Sequence, residues 1–318
     1  MKVLITGGGM VGSHAARELV ARGHEVTIMD AAPREDYIRQ VAGPDVAVSR
    51  GDITELPGLL EIARASEPAV VVHTAALIGE AAQLLPYRGV RVNVLGTINV
   101  AETVRLLGIR RLVHASTLGV NDLAQPQPAP LPEAFPLGSS GRIYGASKVA
   151  CEVLLDAYAN AYGFELAMLR FAGIYGRGHF AGGSGIGREM HDLVEAGMAG
   201  FPAVLGKGIP ASYEVVHVKD VARGVAAAAL VEPLDQRVFN IGTGRLVRPA
   251  DVAEALLTVF PNASVDVGQS RPDRHPRMQP LDLTRARASL GYDPQFDLVS
   301  GLRDLVADLQ GDPSPRVD

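Results

Sequence analysis

Residues 2–12 read Lys2-Val3-Leu4-Ile5-Thr6-Gly7-Gly8-Gly9-Met10-Val11-Gly12, a short apolar run followed at once by a glycine cluster. The apolar run predicts a buried strand, and the apolar spacing after it predicts a helix, so the glycines form a strand-to-helix turn. There Gly7 permits the tight bend, Gly9 lets a pyrophosphate approach the backbone, and Gly12 lets the helix pack close to the strand. The helix N-terminus favours negative charge, so the turn predicts a dinucleotide site. The alternative is a glycine-rich turn that binds nothing.

Asp30 ends the second apolar run, Glu25–Asp30. A carboxylate about 20 residues after the glycine turn accepts hydrogen bonds from the adenosine ribose hydroxyls and repels a 2′-phosphate. This position favours NAD over NADP. The alternative is that Asp30 caps the next helix, and Arg34 leaves room for a phosphate.

Short apolar runs continue to alternate with helical patterns along the first half of the chain. The further runs are Val46–Ser49, Ala69–His73, Arg111–Ala115 and Glu165–Arg170. Runs of this length without polar alternation are typical of strands buried on both faces. We therefore predict an α/β fold with a doubly wound parallel sheet of the Rossmann type.

The pattern changes in two places. A long loop carries Pro126, Pro128, Pro130, Pro132 and Pro136, and a connection of this length is expected to lie over another part of the molecule. After Arg170 the alternation is less regular, with short elements around Phe239–Ile241, Pro249–Phe260 and Leu298–Leu309. We predict a cofactor-binding domain of residues 1–170, to which residues 213–245 partly return, and a smaller substrate-binding lobe in residues 171–318.

Composition excludes several classes of partner. The 318 residues include 30 basic and 35 acidic side chains, a net charge of −5, without a basic run that suits nucleic acid. The lone cysteine, Cys151, cannot form an internal disulfide, and no cluster of ligand residues at metal spacing is evident. No stretch reaches the ~18 apolar residues of a membrane span. We expect a soluble, cytoplasmic protein without a metal, a nucleic-acid partner or a membrane partner.

Tyr144 and Lys148 lie four residues apart at the start of a helical run that continues to Tyr162. This spacing places both side chains on one helical face. For Tyr144 to act as a base its pKa must fall by about 3 from the usual ~10, a preference of ~4 kcal/mol for the phenolate that Lys148 and a positive nicotinamide ring can supply. The alternative is a surface pair on an amphipathic helix.

These features, in this order, resemble those of the extended short-chain dehydrogenases/reductases, the NAD-dependent epimerase/dehydratase family. The resemblance covers nearly the whole chain. The further matching motifs are Gly51-Asp52-Ile53, His73-Thr74-Ala75-Ala76, Asn93-Val94-Leu95-Gly96-Thr97, Ala115-Ser116-Thr117 with Val120, Leu169-Arg170 with Tyr175-Gly176, His217-Val218-Lys219-Asp220-Val221-Ala222 and Phe239-Asn240-Ile241-Gly242-Thr243-Gly244.

The resemblance implies roles for individual residues. Thr117 would hold the substrate hydroxyl, with Ser116 as second choice, Tyr144 would exchange its proton, and Lys148 would assist Tyr144 and bind the nicotinamide ribose. Asn93 would order the active-site helix or a water; the alternative is a surface amide. The implied NAD contacts are Gly7, Gly9, Met10, Val11, Gly12, Asp30, Asp52, Ile53, Thr74, Ala75, Ala76, Tyr144, Lys148, Phe171 and Ile174. A homodimer is also implied, formed through the helices Val90–Leu107 and Tyr144–Tyr162.

Two departures from the nucleotide-sugar members concern the substrate. Gly173 stands where those enzymes usually have an asparagine, and Tyr213 where they usually have an arginine against the phosphates. Losing an amide and a cation removes contacts to a diphosphate. Tyr213 would instead offer its ring to a smaller ligand, or it packs under the C-terminal lobe. Four basic residues can compensate or are surface charges: Arg188, Lys207, Arg271 and Arg274.

Three functions follow as hypotheses. The first is an NAD-dependent oxidoreductase that transfers hydride between the nicotinamide and a hydroxyl-bearing carbon of a sugar, sugar acid or similar small polar substrate. The second is a nucleotide-sugar epimerase or dehydratase in which NAD is reduced and reoxidised within one turnover. The third is a non-catalytic dinucleotide sensor, which the intact Thr117, Tyr144 and Lys148 set disfavours.

Overall fold

The computed structural model describes residues 1–139, 141–178, 185–205, 211–268 and 278–311. Within these residues the strands are β1 (Lys2–Thr6), β2 (Glu25–Asp30), β3 (Ala47–Arg50), β4 (Val70–His73), β5 (Arg111–Thr117), β6 (Glu165–Phe171), β7 (Gly173–Tyr175), β8 (Ala203–Leu205), β9 (Val215–His217), β10 (Val238–Ile241) and β11 (Val265–Val267).

The helices of the first half are α1 (Met10–Ala21), α2 (Glu35–Ala42), α3 (Leu56–Ser66), α4 (Gly79–Leu84), α5 (Pro86–Val90), α6 (Gly96–Leu107) and α7 (Ile143–Tyr162). Those of the second half are α8 (Gly185–Ala199), α9 (Val218–Leu230), α10 (Pro249–Val259), α11 (Thr284–Leu290) and α12 (Leu298–Gln310). No helix in these described ranges is long and apolar enough to cross a membrane.

The predicted doubly wound parallel sheet is confirmed. Among the described residues, seven strands form one sheet in the order β10-β6-β5-β4-β1-β2-β3, and every pair is parallel. One face packs on α1, α2 and α9, and the other on α3, α6 and α7, so both faces are buried, as the unbroken apolar runs require. The order reverses direction between β1 and β4, where such sheets bind ligands at the carboxyl ends of their strands.

Several boundaries differ from the sequence prediction. β3 lies one residue later than the run Val46–Ser49, and β5 continues two residues beyond Ala115, so that Thr117 is its last residue. The expected single helix from Val90 to Leu107 contains a π-helical turn, Arg91–Leu95, between α5 and α6. A π-helical turn has about one residue more than an α-helical turn. Hydrophobic periodicity does not detect it, because it changes the orientation of only a few side chains.

A smaller core lies apart from the sheet. It is formed by apolar residues of α8, β8, β9, α10 and α12, together with Tyr175 and Tyr213. By contrast, α9 packs on α1, and β10 pairs with β6 at the edge of the main sheet. On these contacts we propose a domain of residues 1–170 to which residues 213–245 partly return, and a second lobe in residues 171–318.

The proline-rich loop after β5 lies against the second half of the chain, as a covering connection was expected to do. Leu131 is fully buried and pairs with Leu281, and its carbonyl accepts a hydrogen bond from Asn240 Nδ2 at 3.1 Å. The loop therefore joins the edge strand β10 to the segment before α11. This arrangement closes the side of the sheet where β5 and β6 end.

Candidate active site

The glycine turn between β1 and α1 has the shape that its sequence predicts. Gly7 has a φ of +97°, a left-handed conformation that favours glycine, and an added Cβ there would lie 2.7 Å from the backbone nitrogen of Ala75. An added Cβ at Gly12 would overlap the carbonyl oxygen of Gly7. At Gly9, which precedes the first turn of α1, an added Cβ would have no atom of the described chain within 4 Å. The turn thus has backbone N–H groups at an accessible helix N-terminus, which suits a pyrophosphate.

Thr74 and Ala75 lie against this turn. The Thr74 hydroxyl donates to the carbonyl oxygens of Thr6 and Gly7 at 2.9 and 3.0 Å, and the Ala75 N–H donates to the Thr6 carbonyl at 2.8 Å. Ala76 follows them as a half-buried residue, and Met10 and Val11 are half-buried at the start of α1. The structure therefore brings the residues after β4 together with the glycine turn.

Asp30 faces the same turn from the end of β2. One carboxylate oxygen accepts the N–H of Gly8 at 2.8 Å and the other accepts the N–H of Ala32 at 2.8 Å. The alternative that Asp30 caps the next helix is wrong, because α2 begins at Glu35 and Arg34 occupies the capping position. The carboxylate is therefore fixed beside the glycine turn, and the remaining lone pairs of its oxygens can accept ribose hydroxyls.

Asp52 and Ile53 lie at the end of β3. Asp52 Oδ1 accepts the N–H and the hydroxyl of Thr54 at 2.8 and 2.9 Å, while the Ile53 side chain is buried against Gly96 of α6. Their contact with an adenine ring stays a prediction. The backbone of this turn is held by the side chain of Asp52 and by Asn99 of α6, whose Nδ2 donates to the Ile53 carbonyl at 2.8 Å.

Thr117, Tyr144 and Lys148 meet at the carboxyl end of β5. Thr117 lies near enough to Tyr144 to lower the pKa of its hydroxyl as a hydrogen-bond partner, and the Thr117 oxygen accepts the N–H of Gly119 at 3.2 Å. Lys148 is 2% exposed, and its Nζ donates to the carbonyl of Ala115 at 2.7 Å. The alternative of a surface pair on a solvated helix is therefore wrong.

Burial dominates the electrostatics of Tyr144 in this structure. Burial raises the pKa of its hydroxyl above the usual value, and the hydrogen bond from Thr117 lowers it only in part. Burial also lowers the pKa of Lys148, while Cys151 and Glu152 raise it. The Lys148 ammonium group also donates to the carbonyl of Ala115, and its expected effect on the pKa of Tyr144, together with that of a bound nicotinamide ring, stays a prediction.

Asn93 lies in the π-helical turn and is 1% exposed, so the alternative of a surface amide is wrong. Its Oδ1 accepts the N–H of Leu77 at 2.8 Å, and its Nδ2 donates to the Leu77 carbonyl and to Ser147 Oγ, both at 2.9 Å. Ser147 immediately precedes Lys148. Asn93 thus links the loop after β4 to α7, the helix that carries Tyr144 and Lys148, and π-helical turns are often found at functional sites.

Ser116, the second choice for the substrate hydroxyl, has a different partner. It is 3% exposed and its hydroxyl donates to the carboxylate of Glu152 on α7. Glu152 in turn binds Arg170 of β6. Glu152 was not predicted as a site residue from the sequence, although its position four residues after Lys148 places it on the same face of the helix.

The residues at the end of β6 and in β7 differ in burial and in their contacts. Phe171 is buried in the core of the sheet and Ile174 is half-buried beside it. Gly173 donates its N–H to the carbonyl of Glu214 at 3.0 Å, and an added Cβ there would lie 3.1 Å from the same oxygen. The cofactor and substrate contacts of these three residues stay predictions.

Tyr213 is 2% exposed and belongs to the core of the smaller lobe. Its backbone pairs with Val247, and burial raises the pKa of its hydroxyl. This position favours the alternative that Tyr213 packs under the C-terminal lobe. Arg188 is exposed and pairs with Asp192 at 3.7 Å, as a surface charge would. Lys207, Arg271 and Arg274 lie outside the described residues.

One group of potential metal ligands is found within the described ranges, where the sequence analysis had seen none. His191, Asp192 and Glu195 lie on α8 with their ligand atoms within 4.8 Å of one another. Two of them, His191 and Glu195, are one helical turn apart, with His191 Nδ1 3.7 Å from Glu195 Oε2. The group is partly exposed, and we assign no metal to it.

Comparison with known proteins identifies the relatives of this chain. Residues 3–242 match the model of the NAD-dependent epimerase/dehydratase family. A UDP-glucose 4-epimerase from Mycolicibacterium smegmatis is 31% identical over 320 residues, which cover 96% of this chain and 97% of the relative. UDP-glucuronic acid decarboxylase 1 from Arabidopsis thaliana is 26% identical, over 98% of this chain and 70% of the relative.

Among solved structures, UDP-glucose 4-epimerase from Thermus thermophilus in complex with NAD superposes with a TM-score of 0.84. It is 28% identical, and the alignment covers 98% of this chain and 99% of that chain. The sheet, the glycine turn and the tyrosine–lysine pair thus occur in a chain whose relatives align over 96–98% of its length. The protein belongs to the NAD-dependent epimerase/dehydratase family and is an NAD-dependent enzyme of the extended short-chain dehydrogenase/reductase kind.

Proposed function

We propose that this enzyme transfers hydride between NAD and a hydroxyl-bearing carbon of a sugar, sugar acid or similar small polar substrate. The observation that carries the proposal is the meeting of Thr117, the last residue of β5, with Tyr144 and the buried Lys148 of α7, whose Nζ donates to Ala115 of the same strand. A substrate hydroxyl bound here would give its proton to Tyr144, and Thr117 would orient the same oxygen by a hydrogen bond. Removal of hydride from the same carbon then gives the carbonyl product.

The residues would divide the work as follows. Tyr144 takes the hydroxyl proton during oxidation and returns it during reduction, while Thr117 holds the reacting oxygen in line. Lys148, buried beside them, binds the nicotinamide ribose. When bound, NAD accepts the hydride at its nicotinamide ring and adds a positive charge to the site. Because burial raises the pKa of Tyr144, this added charge matters more here than in a solvated site.

The cofactor would lie along the carboxyl ends of β1, β2 and β4. The accessible N-terminus of α1 at Gly9 suits the pyrophosphate, and the fixed carboxylate of Asp30 suits the adenosine ribose. A 2′-phosphate would meet the negative charge of Asp30, which supports NAD rather than NADP. The roles of the other residues expected to contact NAD stay part of the proposal.

Two residues support a substrate without a nucleoside diphosphate. Gly173 has no side chain to donate to phosphate oxygens, and the side chain of Tyr213 is buried in the smaller lobe. A diphosphate bound beside them would lack the charge-assisted hydrogen bonds that an amide and a guanidinium provide. A neutral or singly charged sugar does not need those contacts.

The second candidate is a nucleotide-sugar epimerase, which a specific finding favours. Two of the relatives named above are UDP-glucose 4-epimerases that align over nearly the whole chain, one of them at 31% identity. Both candidates use the same proton and hydride transfers, so Thr117, Tyr144 and Lys148 do not distinguish them. The candidates differ in the fate of the cofactor. An oxidoreductase releases NADH as a product, whereas an epimerase reoxidises it to NAD within the same turnover.

A substrate panel tests the proposal. NAD-loaded enzyme is mixed with polyols, sugars and sugar acids, and separately with UDP-glucose and UDP-glucuronic acid. We expect NADH to accumulate with a member of the first group. Conversion of a UDP-sugar to its epimer without net NADH would replace the proposal with the second candidate.

We also infer a homodimer located in the cytoplasm. Several large apolar side chains are exposed on the neighbouring helical segments from residue 91 to 107 and on α7: Leu95, Leu106, Val153 and Tyr162, each 48–56% exposed. A second copy of this surface would cover them. Cys151 is buried and free, as expected of a protein kept in a reducing compartment.

A further inference from the structure

A buried ionic cluster lies one helical turn beyond Lys148, between α7 and the two strands below it. Glu152 and Arg170 are each 3% exposed. Arg170 Nε donates to both Glu152 oxygens at 3.0 and 3.2 Å, and its Nη2 donates to Oε2 at 2.7 Å. The hydroxyl of Ser116 donates to Oε1 of the same carboxylate. We call these three residues the carboxylate clamp.

The clamp contacts β5 and β6 one residue before the end of each strand. Ser116 of β5 and Arg170 of β6 are direct partners in the parallel register, and the next pair toward the site is Thr117 with Phe171. Glu152 therefore contacts the pair of positions immediately before Thr117. Lys148 contacts β5 one residue earlier, at the carbonyl of Ala115. Two successive turns of α7 are thus fixed to the last residues of β5.

We propose that Glu152 is a positioning residue, which holds α7 at the height where the Tyr144 hydroxyl meets Thr117. The inference rests on the proposed roles of Tyr144 and Thr117. The two hydroxyl groups belong to different elements, so the contacts that hold α7 against β5 and β6 help to fix the distance between them. A misplacement of ~1 Å at a reacting group can lower the rate by ~10²-fold.

Stability alone does not account for this cluster. Burying a carboxylate and a guanidinium carries a large desolvation penalty, and an apolar pair of similar volume is often at least as stabilising. An apolar pair would not fix the relative orientation of the two side chains. A guanidinium that donates several hydrogen bonds to one carboxylate fixes the two groups in a common plane. Arg170 Nη1 also donates to the carbonyl of Glu133 at 2.9 Å, so the same guanidinium fixes the loop over the strand ends.

The same pair of strands provides a control, an arginine–glutamate pair whose glutamate is 33% exposed. At the opposite end of β5 and β6, Arg111 pairs with Glu165, with Nε 2.8 Å from Oε2, and the two residues are partners in the register. Arg111 is fully buried there. This pair joins the same strands through the same chemistry, but it lies five residues before the level of the clamp.

The test compares three clamp variants with this control. Glu152→Gln removes the charge, the double variant Glu152→Met with Arg170→Met replaces the pair by apolar groups, and Ser116→Ala removes only the link to β5. Glu165→Gln is the control. Each NAD-loaded protein is examined by thermal unfolding and by the 13Cζ resonance of Tyr144, assigned with Tyr144→Phe. Turnover is then measured on the substrate that the panel identifies.

We expect the clamp variants to move the Tyr144 resonance and to lower kcat by about tenfold or more, with a smaller change in KM. The control should lower the unfolding temperature without moving the resonance or kcat. The inference is overturned if the folded clamp variants keep the wild-type resonance. The resonance needs no substrate, so it decides about Glu152 even if the panel refutes the proposed function. If Glu152→Gln does not fold, the double variant and Ser116→Ala carry the comparison.

Discussion

At the scale of single residues, Ser116 and Thr117 show how neighbouring hydroxyl groups take different roles. Thr117 reaches Tyr144, while Ser116 binds the buried carboxylate of Glu152. The resemblance to the family motif favoured Thr117 over Ser116, and the structure places Thr117 beside Tyr144. The partner of Ser116 was not predictable from the motif, since it depends on how closely α7 approaches β5.

The pKa of Tyr144 could not be predicted from the sequence. Spacing correctly predicted that Tyr144 and Lys148 share a helical face. The sequence could not give the degree of burial, which raises the pKa of Tyr144, or the backbone carbonyl that engages Lys148. Both depend on residues that are distant along the chain.

Replacing Tyr144 with phenylalanine tests its assignment as the proton-transfer group. Tyr144→Phe should retain the fold and NAD binding but lower turnover by at least ~10², the usual contribution of a positioned acid or base. Steady-state kinetics with the panel substrate, alongside calorimetric titration of NAD, measure the two effects. Turnover within threefold of wild type would refute the assignment. Tyr158→Phe, a tyrosine farther along the same helix, is the control.

Asp30 determines the expected cofactor preference. Asp30→Ala should weaken NAD binding more than NADP binding, because it removes a ribose acceptor for one cofactor and a repulsion for the other. The ratio of the two dissociation constants is the measurement. The variant also removes the acceptor of the Gly8 N–H, so thermal unfolding should accompany the titrations. An unchanged ratio would mean that Asp30 only supports the glycine turn.

At the scale of elements, the strands were more predictable than the helices around the site. β1 and β2 begin and end where their apolar runs do, because strands buried on both faces carry an unbroken signal. The π-helical turn Arg91–Leu95 was not predicted, since its local change of facing leaves the overall periodicity helical. That turn is what points Asn93 inward, toward Leu77 and Ser147.

The hydrogen bonds of Asn93 predict that it supports both stability and turnover. Asn93→Ala leaves the buried groups of Leu77 and Ser147 without their partner, which should cost ~2 kcal/mol or more of unfolding free energy. Turnover should also fall, because Ser147 lies beside Lys148. Asn99→Ala, which removes one hydrogen bond to Ile53 from α6, is the control and should leave turnover unchanged. Equal turnover in the two variants would count against the proposed role of Asn93.

At the scale of the whole molecule, the alternation of short apolar runs and helices was enough to predict the sheet. The pairing of β10 with β6 was harder to foresee, because these strands are separated by the smaller lobe. The burial of Tyr213 was one of two alternatives that the sequence left open. Which one holds depends on the core that α8, α10 and α12 form around it.

The exposed apolar side chains of α6 and α7 lead to a prediction about assembly. Sedimentation at micromolar concentration should give a particle of twice the 33.5 kDa chain mass. Val153→Asp should shift it toward the monomer, because Val153 is 56% exposed on α7 and a charge there would oppose burial. Val204→Asp is the control, since Val204 is similarly exposed but lies on β8 of the smaller lobe. A wild-type particle of one chain mass would refute the dimer.

The central claim is that this chain performs the hydride transfer of its family on a substrate without a nucleoside diphosphate. Calorimetric titration of free UDP into the NAD-loaded enzyme tests this most directly, because UDP carries the diphosphate without the sugar. With Gly173 lacking a side chain and Tyr213 buried, we predict no binding in the micromolar range. Micromolar binding of UDP would contradict the account and make a nucleotide-sugar epimerase the better assignment.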